Sequence, residues 1–302
     1  MRLAHPITDL AEEGWTIRQA LVRAAAYLQS ENLPDPCLSA ELLLGSVLGL
    51  DRLGLLMAYD QPMHEIERRL FEEKVVQRSK HHPIAYLTGH KEFWSLDFEV
   101  NSGVLIPRPE TELLVEETIG ILSDRREGST VVELGTGSGA VIIALTKSID
   151  PQKKTRFLAT DRSRWALETA RKNAIHHQVE DRISFVQGDW LVSFSDKERW
   201  IDVLVSNPPY IAETDIPHLP ATVKDFEPPE ALYGGADGLE AIGLIFQQAT
   251  EQLKPGGWLV LEIGEAQAAQ VLKLTQTLLF DQTTIRRDYA GKDRILKACY
   301  HG

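Results

Sequence analysis

The sequence predicts an α/β fold: a mostly parallel seven-stranded sheet with a reversed last strand, preceded by a small all-helical domain. Three observations lead to this prediction. Residues before 81 have helical apolar spacing, residues after 105 alternate between strand-like and helical patterns, and only four residues separate the last two strand-like segments. Strands that alternate with helices form parallel sheets covered by helices. A four-residue link is too short for a parallel crossover, so the last strand must run in the opposite direction.

Residues 1–81 are predicted to form the helical domain. One helix is expected from Thr16, which is its N-cap, and a second from Leu38, with Ser39 as its cap. A third helix is expected over residues 65–80. The apolar stripe of this third helix is predicted to contain Ile66, Leu70, Lys74 and Val75. Such helices bury their apolar faces against one another, so a small bundle with its own core is expected.

Residues 82–104 are predicted to be a hairpin-like connector, because glycine, proline and aromatic residues are mixed there with short alternating runs such as LDFEV. Residues 105–302 are predicted to form the second domain. Its seven strands are expected at 130–134, 156–160, 183–187, 202–206, 258–263, 283–289 and 294–300. A seven-stranded sheet of this kind is the arrangement of class I methyltransferases.

Charge and cysteine content narrow the possible functions. The chain of 302 residues has a formal net charge of −12. Nucleic-acid binding needs a basic face that neutralises phosphates, so the acidic total argues against a nucleic-acid substrate and is compatible with a basic protein partner. The two cysteines, Cys37 and Cys299, are far apart and indicate neither a disulfide framework nor a metal site. Both are expected to be buried, in a reducing compartment.

The amino-terminal residues have no signal-peptide pattern, and the chain has no uncharged apolar stretch of about 18 residues. A cytoplasmic protein without a membrane span is therefore expected. A monomer is the default expectation for its oligomeric state, and the predicted chemistry requires no metal.

A glycine-rich loop, Gly135-Thr136-Gly137-Ser138-Gly139, follows the first strand of the predicted sheet. Glycine lets the backbone turn sharply and approach a ligand closely. The helix after the loop offers unpaired N–H groups and the positive end of its dipole. The G-x-G-x-G spacing favours S-adenosylmethionine over a dinucleotide as the ligand. A tight turn needed only for helix packing is the alternative explanation.

Polar and aromatic residues follow the next two strands. Asp161 is placed to accept hydrogen bonds from both ribose hydroxyls, and the alternative is an N-cap for the helix that begins near Ser163. Asp189 is predicted to accept the adenine amino group and Trp190 to cover the ring, with an ordinary core position as the alternative for Trp190. Successive parallel strands end at one edge of a sheet, so these residues are expected to share one site.

The tetrapeptide Asn207-Pro208-Pro209-Tyr210, at the end of the fourth strand, indicates the chemistry. An amide nitrogen is a poor nucleophile because its lone pair is delocalised into the carbonyl. It must be held in line with a methyl donor while acceptors bind its N–H groups. Asn207 offers a side-chain carbonyl and Pro208 a backbone carbonyl, so these two residues are predicted to be catalytic. The whole tetrapeptide is predicted to bind the substrate, with Tyr210 stacking on the planar group. A proline-rich turn without function is the alternative.

The chain resembles the release factor glutamine methyltransferases, the HemK-like or PrmC-type enzymes, over nearly its whole length. The most specific match is IPRPETE, residues 106–112. The segments ELGTGSGA, QGDW, SNPPYI, LKPGGWLVLEIGEAQ and RDYAGKDRILKA match as well. The resemblance implies methylation of the glutamine in a Gly-Gly-Gln loop of class-1 peptide chain release factors, with the helical domain contacting the factor.

The resemblance also assigns residues. It implies that residues 135–139, Asp161, Trp190 and Asn207 bind S-adenosylmethionine, and that residues 207–210 hold the glutamine. Glu133 stands where relatives often have aspartate. The IPRPETE segment is expected to form a wall of the substrate site, in which Arg108 and Glu110 orient neighbouring loops. Without the resemblance, the segment would be a proline-rich linker whose Thr111 caps the next helix.

Three other functions stay open. The chain could be a glutamine methyltransferase that acts on a ribosomal protein, an amino-group methyltransferase that acts on nucleic acid, or a noncatalytic interaction module that keeps the fold. The complete IPRPETE segment argues against the first and the acidic charge against the second. The intact glycine loop and tetrapeptide argue against the third.

Overall fold

The structure, a computed structural model, describes residues 15–125, 128–194 and 198–302 and divides into two compact units. The helical unit comprises the described residues up to Gly89 together with Pro220–Phe226. The sheet unit comprises the described residues of His90–Leu219 and Glu227–Gly302. Residues 1–14 of the predicted helical domain, which include the amino-terminal segment discussed above, lie outside the described residues.

The helical unit is built on amphipathic helices that share one core. Its first helices are α1 (Ile17–Ser30), α2 (Pro36–Leu48), α3 (Arg52–Met57), α4 (Glu65–Ser79) and α5 (Ile84–Thr88). Thr16 caps α1 as predicted: its hydroxyl accepts the Gln19 N–H at 3.3 Å, and its own N–H donates to the Gln19 side chain at 3.0 Å. This reciprocal pair is a capping box. It satisfies the backbone N–H groups of Thr16 and Gln19, which have no partner within the helix.

Three predictions about α2 and Cys37 were wrong. The helix begins at Pro36 rather than Leu38, because proline has no N–H to leave unpaired in the first turn. Ser39 is consequently buried inside the helix and is not its cap. Cys37 lies in the same first turn and is exposed, whereas Cys299 is buried as predicted.

The predicted apolar stripe of α4 was wrong at Ile66 and Leu70, whereas Val75 is buried as predicted. Ile66 and Leu70 are 73% and 47% exposed, and the buried residues of the helix are Phe71, Val75 and Arg78. The aromatic ring of Phe71 offers more apolar surface than the side chain of Leu70. The buried face of α4 is therefore shifted by about one residue along the sequence from the predicted face, so that Phe71 and not Leu70 enters the core.

The sheet unit opens with an antiparallel hairpin of β1 (His90–Phe93) and β2 (Leu96–Glu99), so the predicted connector contains α5 and this hairpin. The elements that follow along the chain are α6 (Glu112–Ser123), β3 (Thr130–Leu134), α7 (Ala140–Ser148), β4 (Arg156–Asp161), α8 (Arg164–His176), β5 (Ile183–Gln187), β6 (Ile201–Ser206), α9 (Ala221–Lys224), α10 (Pro229–Leu232), α11 (Glu240–Gln252), β7 (Leu253–Glu262), α12 (Ala268–Thr277), β8 (Phe280–Arg287) and β9 (Asp293–Tyr300). Of these, α9 belongs to the helical unit.

The large sheet confirms the predicted fold. Its seven strands lie in the order β5-β4-β3-β6-β7-β9-β8. The pairs among β3 to β7 are parallel, and β9 is antiparallel to both of its neighbours. Apolar clusters cover both faces, and the central strand β6 is buried along its whole length, which explains the apolar run at residues 203–205.

The register brings the ends of four strands to one level. Leu134 at the end of β3 pairs with Thr160 of β4 on one side and with Ser206 of β6 on the other. Ser206 in turn pairs with Leu261 of β7. The residues that follow these positions therefore meet at the carboxyl edge of the sheet, where open α/β sheets bind their ligands. Within the described part of the chain, no helix is long and apolar enough to cross a membrane.

Candidate active site

The glycine loop after β3 has two kinds of glycine. Gly135, Gly137 and Gly139 all have positive φ angles, of 69°, 56° and 81°. A Cβ on Gly139 would lie only 3.0 Å from Ile143 Cδ1 and 3.1 Å from Ala170 Cβ, so this glycine is required for helix packing. A Cβ on Gly137 would meet nothing within 4 Å. The packing explanation therefore accounts for Gly139, whereas the backbone at Gly137 faces open space.

The buried carboxyl group of Glu133 supports the glycine loop. Glu133 accepts a hydrogen bond from the Thr136 hydroxyl at 2.5 Å and another from the Ile142 N–H in the first turn of α7. Burial raises the pKa of Glu133 to about 8, against the effect of these hydrogen bonds. Thr136 is buried as well, so its hydroxyl shapes the loop from inside.

Asp161, the last residue of β4, organises the other side of the loop. Its carboxylate accepts the Gly137 N–H at 2.9 Å and the Ser163 N–H at 2.8 Å. Burial raises the pKa of Asp161, although these backbone donors oppose that effect. The N-cap of α8 is Ser163, whose hydroxyl accepts the Ala166 N–H at 3.2 Å. The alternative role of Asp161 as that cap is therefore wrong.

Asn173 on α8 fixes the loop to the hairpin. Its side-chain NH2 donates to the Ser138 carbonyl at 2.9 Å and to the Glu99 carbonyl at 3.0 Å, and its oxygen accepts the Glu99 N–H at 2.8 Å. Sequence reasoning missed this residue. The available signal was a polar amide on the apolar face of a predicted helix, since a buried amide needs partners for its donors and acceptor.

Trp190 and Asp189 follow β5 at the same edge. Trp190 is half-buried, and its ring lies beside the loop, since a Cβ on Gly135 would be 3.7 Å from Trp190 Cζ3. The ring also packs against the apolar cluster that contains Leu134, so the core alternative describes part of its surroundings. Asp189 is exposed. Their adenine-binding roles stay predictions.

The tetrapeptide begins directly after β6, at the level of Gly135. Asn207 is half-buried, and its side-chain Nδ2 donates to the Thr111 hydroxyl at 3.2 Å. Pro208 is buried and Pro209 half-buried. The Tyr210 hydroxyl donates to Glu262 Oε1 at 3.3 Å. The Asn207 side-chain nitrogen is thus turned toward Thr111.

Gln267 holds the far end of the tetrapeptide. Its Nε2 donates to the carbonyls of Tyr210 and Gly238, each at 3.0 Å, while its oxygen accepts the Gly264 N–H at 2.9 Å. A Cβ on Gly234 would lie 2.7 Å from the Pro209 carbonyl oxygen, so only glycine fits against this loop. Hydrogen bonds and close backbone packing therefore keep the tetrapeptide in one conformation.

The IPRPETE segment lies beside Asn207. Thr111 occupies the N-cap position of α6, as the linker alternative had it, but its hydroxyl makes no capping bond and donates instead to Glu262 Oε2 at 2.6 Å. Arg108 forms an ion pair with the buried carboxylate of Glu227, which also accepts the Ile106 N–H at 3.1 Å. Sequence reasoning named Thr111 and Arg108 but not their carboxylate partners.

Glu262, the last residue of β7, accepts hydrogen bonds from both the IPRPETE segment and the tetrapeptide. It is buried, and burial raises the pKa of its carboxyl group, although the Thr111 bond and nearby Arg294 oppose this effect. The pKa of Tyr210 is raised by burial and by the charge of Glu262. An acidic residue at the end of the apolar run WLVLE was the available sequence signal, because a carboxylate in a buried strand requires specific donors.

One group of side chains in the described residues has the spacing of metal ligands: Asp281, Cys299 and His301. Asp281 lies at the start of β8, Cys299 near the end of β9 and His301 just after β9, at the end of the sheet opposite to the carboxyl edge. The group is therefore separate from the residues described above.

Two family profiles match the chain: the PrmC N-terminal domain over residues 19–89 and a methyltransferase domain over residues 125–291. The release factor glutamine methyltransferase of Rhodopirellula baltica is 37% identical, over 93% of this chain and 95% of that protein. The enzyme of the same name from Moorella thermoacetica is 39% identical, over 94% of this chain and 98% of that protein.

Among solved structures, the hMettl16 catalytic domain in complex with MAT2A 3′UTR hairpin 6 superposes with a TM-score of 0.55. It is 15% identical and covers 79% of this chain and 83% of that chain, so it shows a shared fold. The relatives confirm the resemblance that the motifs indicated. The chain belongs to the release factor glutamine methyltransferase family, and it is a methyltransferase of that family.

Proposed function

We propose that this protein uses S-adenosylmethionine to methylate the side-chain nitrogen N5 of the glutamine in the Gly-Gly-Gln loop of class-1 peptide chain release factors. The observation that carries the proposal is the orientation of Asn207. Its amide nitrogen donates to Thr111, which leaves its carbonyl oxygen as an acceptor, and the Pro208 carbonyl is the next acceptor along the chain. Two adjacent acceptors at the carboxyl edge of the sheet fit the two N–H groups of a primary amide.

The residues around the glycine loop fit the cofactor. The loop has open space at Gly137, whose N–H donates to the Asp161 carboxylate, and the Trp190 ring lies beside Gly135, a set that suits a ribose diol and a flat base. Residues 135–139, Asp161, Asp189, Trp190 and Asn207 would hold it. When bound, S-adenosylmethionine supplies an electrophilic methyl group on a sulfonium.

The chain's own residues prepare the nucleophile. Asn207 Oδ1 and the Pro208 carbonyl accept the two N–H groups of the glutamine amide and thereby fix its plane and the direction of its nitrogen lone pair. Tyr210 stacks on the amide plane. Asn207 is neutral and a poor base, so the nitrogen loses its proton after methyl transfer, when it has become more acidic. The site therefore works by positioning and not by general-base catalysis.

The substrate also determines the proposed setting. Release factors act at the ribosome, so we propose a cytoplasmic enzyme. The helical domain predicted for residues 1–81 contacts the factor, and residues 105–302 carry out the chemistry. The net charge of −12 supports a protein substrate without direct nucleic-acid contact. The working form is proposed to be a monomer.

The test is transfer of a labelled methyl group from S-adenosylmethionine to a purified bacterial class-1 release factor. The matched control is the same factor with Gln→Ala in its Gly-Gly-Gln loop. Label on the wild-type factor alone is the expected result. Label on both factors would place the methyl group elsewhere. Label on neither factor, together with transfer to ribosomal protein or to nucleic acid, would replace the proposed substrate.

A further inference from the structure

The Asn207 side chain is the end of a hydrogen-bonded chain that begins at Glu262. Glu262 Oε2 accepts the Thr111 hydroxyl at 2.6 Å, and Thr111 Oγ1 accepts the Asn207 amide at 3.2 Å. The other oxygen of Glu262 accepts the Tyr210 hydroxyl at 3.3 Å. Three separate parts of the chain thus meet: IPRPETE, the tetrapeptide and the end of β7.

The direction of these hydrogen bonds follows from the number of protons that each group can donate. Both oxygens of Glu262 act as acceptors, one for Tyr210 and one for Thr111, and the Thr111 hydroxyl has a single proton to donate. Because Thr111 donates that proton to Glu262, it can only accept from Asn207. Asn207 must therefore turn its NH2 group to Thr111 and its carbonyl oxygen outward.

The opposite orientation of Asn207 would disable the site. If Thr111 donated to Asn207 instead, the Asn207 oxygen would point inward and its NH2 group would face the substrate. Two donor groups would then oppose each other, since the glutamine amide nitrogen presents N–H groups of its own. A buried pair of unpaired donors is costly.

We propose that Thr111 and Glu262 are positioning residues that set the acceptor orientation of Asn207. Neither residue needs to contact the glutamine. Glu262 is an acceptor for two hydroxyl groups, and Thr111 relays that polarity to the Asn207 amide. This inference rests on the proposed function, since it assumes that the substrate presents N–H groups to Asn207, and it gives the IPRPETE segment a specific role in the reaction.

The test compares Thr111→Val with Thr111→Ser. Valine keeps the shape of threonine but has no hydroxyl, whereas serine keeps the hydroxyl. For Thr111→Val, kcat for the release factor is expected to fall by about 5- to 150-fold, the effect of one unmade buried hydrogen bond. The Kd for S-adenosylmethionine should stay close to that of the wild type, whereas the Tm should fall by a few degrees because buried Glu262 loses a donor, so kcat is measured well below the Tm of both proteins. Thr111→Ser should recover most of kcat, which a purely space-filling role for Thr111 does not predict.

A second variant tests the relay independently of Thr111. Glu262→Gln has one acceptor oxygen for two hydroxyl groups, so kcat is again expected to fall. Because both changes act through Asn207, Thr111→Val combined with Glu262→Gln should have a kcat close to that of the worse single variant. Multiplicative losses would show that the two residues act separately and would overturn the relay.

The outcomes separate this inference from the proposed function. A wild-type enzyme that transfers methyl groups to the factor, with an unchanged kcat in Thr111→Val, would overturn the positioning role alone. A wild-type enzyme that transfers none to the factor would overturn the proposed function and this inference together. A lower kcat in Thr111→Val that is recovered in Thr111→Ser is the supporting result.

Discussion

The two halves of the candidate site are each built around a buried glutamate that accepts a threonine hydroxyl. In the glycine-loop half, Thr136 donates to Glu133 at 2.5 Å, and the two residues are three positions apart. In the tetrapeptide half, Thr111 donates to Glu262 at 2.6 Å across 151 positions. The same chemical unit is therefore local in one half and long-range in the other.

This difference separates what each half needs in order to form. The glycine loop contains its own support within one strand, one turn and the start of α7. The tetrapeptide depends on the segment before α6 and on the end of β7, which come together only when the sheet is complete. Changes in the first half should therefore act on the ligand and local stability, and changes in the second half on turnover.

The largest expected effect is in the tetrapeptide half. Asn207→Ala removes one of the two acceptors proposed to hold the amide, so kcat should fall by about 10²- to 10³-fold, as when one transition-state hydrogen bond is lost. The Kd for S-adenosylmethionine should change much less. Labelled methyl transfer and calorimetry measure the two quantities. Wild-type turnover by the variant would remove Asn207 from the chemistry.

In the glycine-loop half, Glu133 should make stability depend on pH. Its pKa is raised from 4.5 to about 8 in the folded protein, so the folded state holds this proton more tightly than the unfolded state. The resulting stability is fully present below about pH 4.5 and is lost as the pH rises through about 8. Glu133→Gln cannot ionise. As the pH rises from about 4.5 to about 8, the free energy of unfolding of Glu133→Gln should therefore increase by about 2–4 kcal/mol relative to that of the wild type.

Urea unfolding of both proteins without cofactor, at several pH values, measures this difference. Other titrating groups are common to the two proteins and cancel in the comparison. A difference between wild type and Glu133→Gln that does not change with pH would show that Glu133 titrates normally.

A smaller effect is expected for Asp161→Ala. This change removes the carboxylate proposed to hold the ribose and leaves the Gly137 N–H without its acceptor. The free energy of S-adenosylmethionine binding should weaken by about 1–3 kcal/mol, while kcat at saturating cofactor changes little. Calorimetry beside steady-state kinetics distinguishes the two. An unaltered affinity would move the ribose contact to another residue.

The smallest effect is expected for Tyr210→Phe. The variant keeps the ring proposed to stack on the amide and loses the hydroxyl that donates to Glu262 at 3.3 Å. The loss of this long hydrogen bond should lower kcat by about 2- to 10-fold, in line with a net 0.5–1.5 kcal/mol for one hydrogen bond. A loss as large as that of Asn207→Ala would instead give the hydroxyl a direct part in the reaction.

The sequence predicted the elements whose signals are local. The alternation of strands and helices led to the sheet and its reversed strand, and the strand ends located the glycine loop, Asp161 and Asn207 at one edge. The roles of these residues stay predictions. The partners of Thr111 and Arg108 could not be predicted, because Glu262 and Glu227 approach them only through tertiary folding.

Two other features could not be predicted for the same reason. Pro220–Phe226 belongs to the helical unit through contacts with residues that are distant in sequence. The shift of the buried face of α4 reflects competition between Phe71 and Leu70 for one core, which periodicity alone does not decide.

The three hydrogen bonds of Asn173 give the glycine loop a rigid backing. They connect the Ser138 carbonyl to both backbone groups of Glu99 at the end of β2. With Ser138 tied in this way, the loop takes its shape during folding and not when a ligand arrives. The entropic cost of ordering these residues then belongs to folding, so more of the contact energy at this corner appears as affinity. We expect the hairpin to support binding at the proposed cofactor site by keeping this loop rigid.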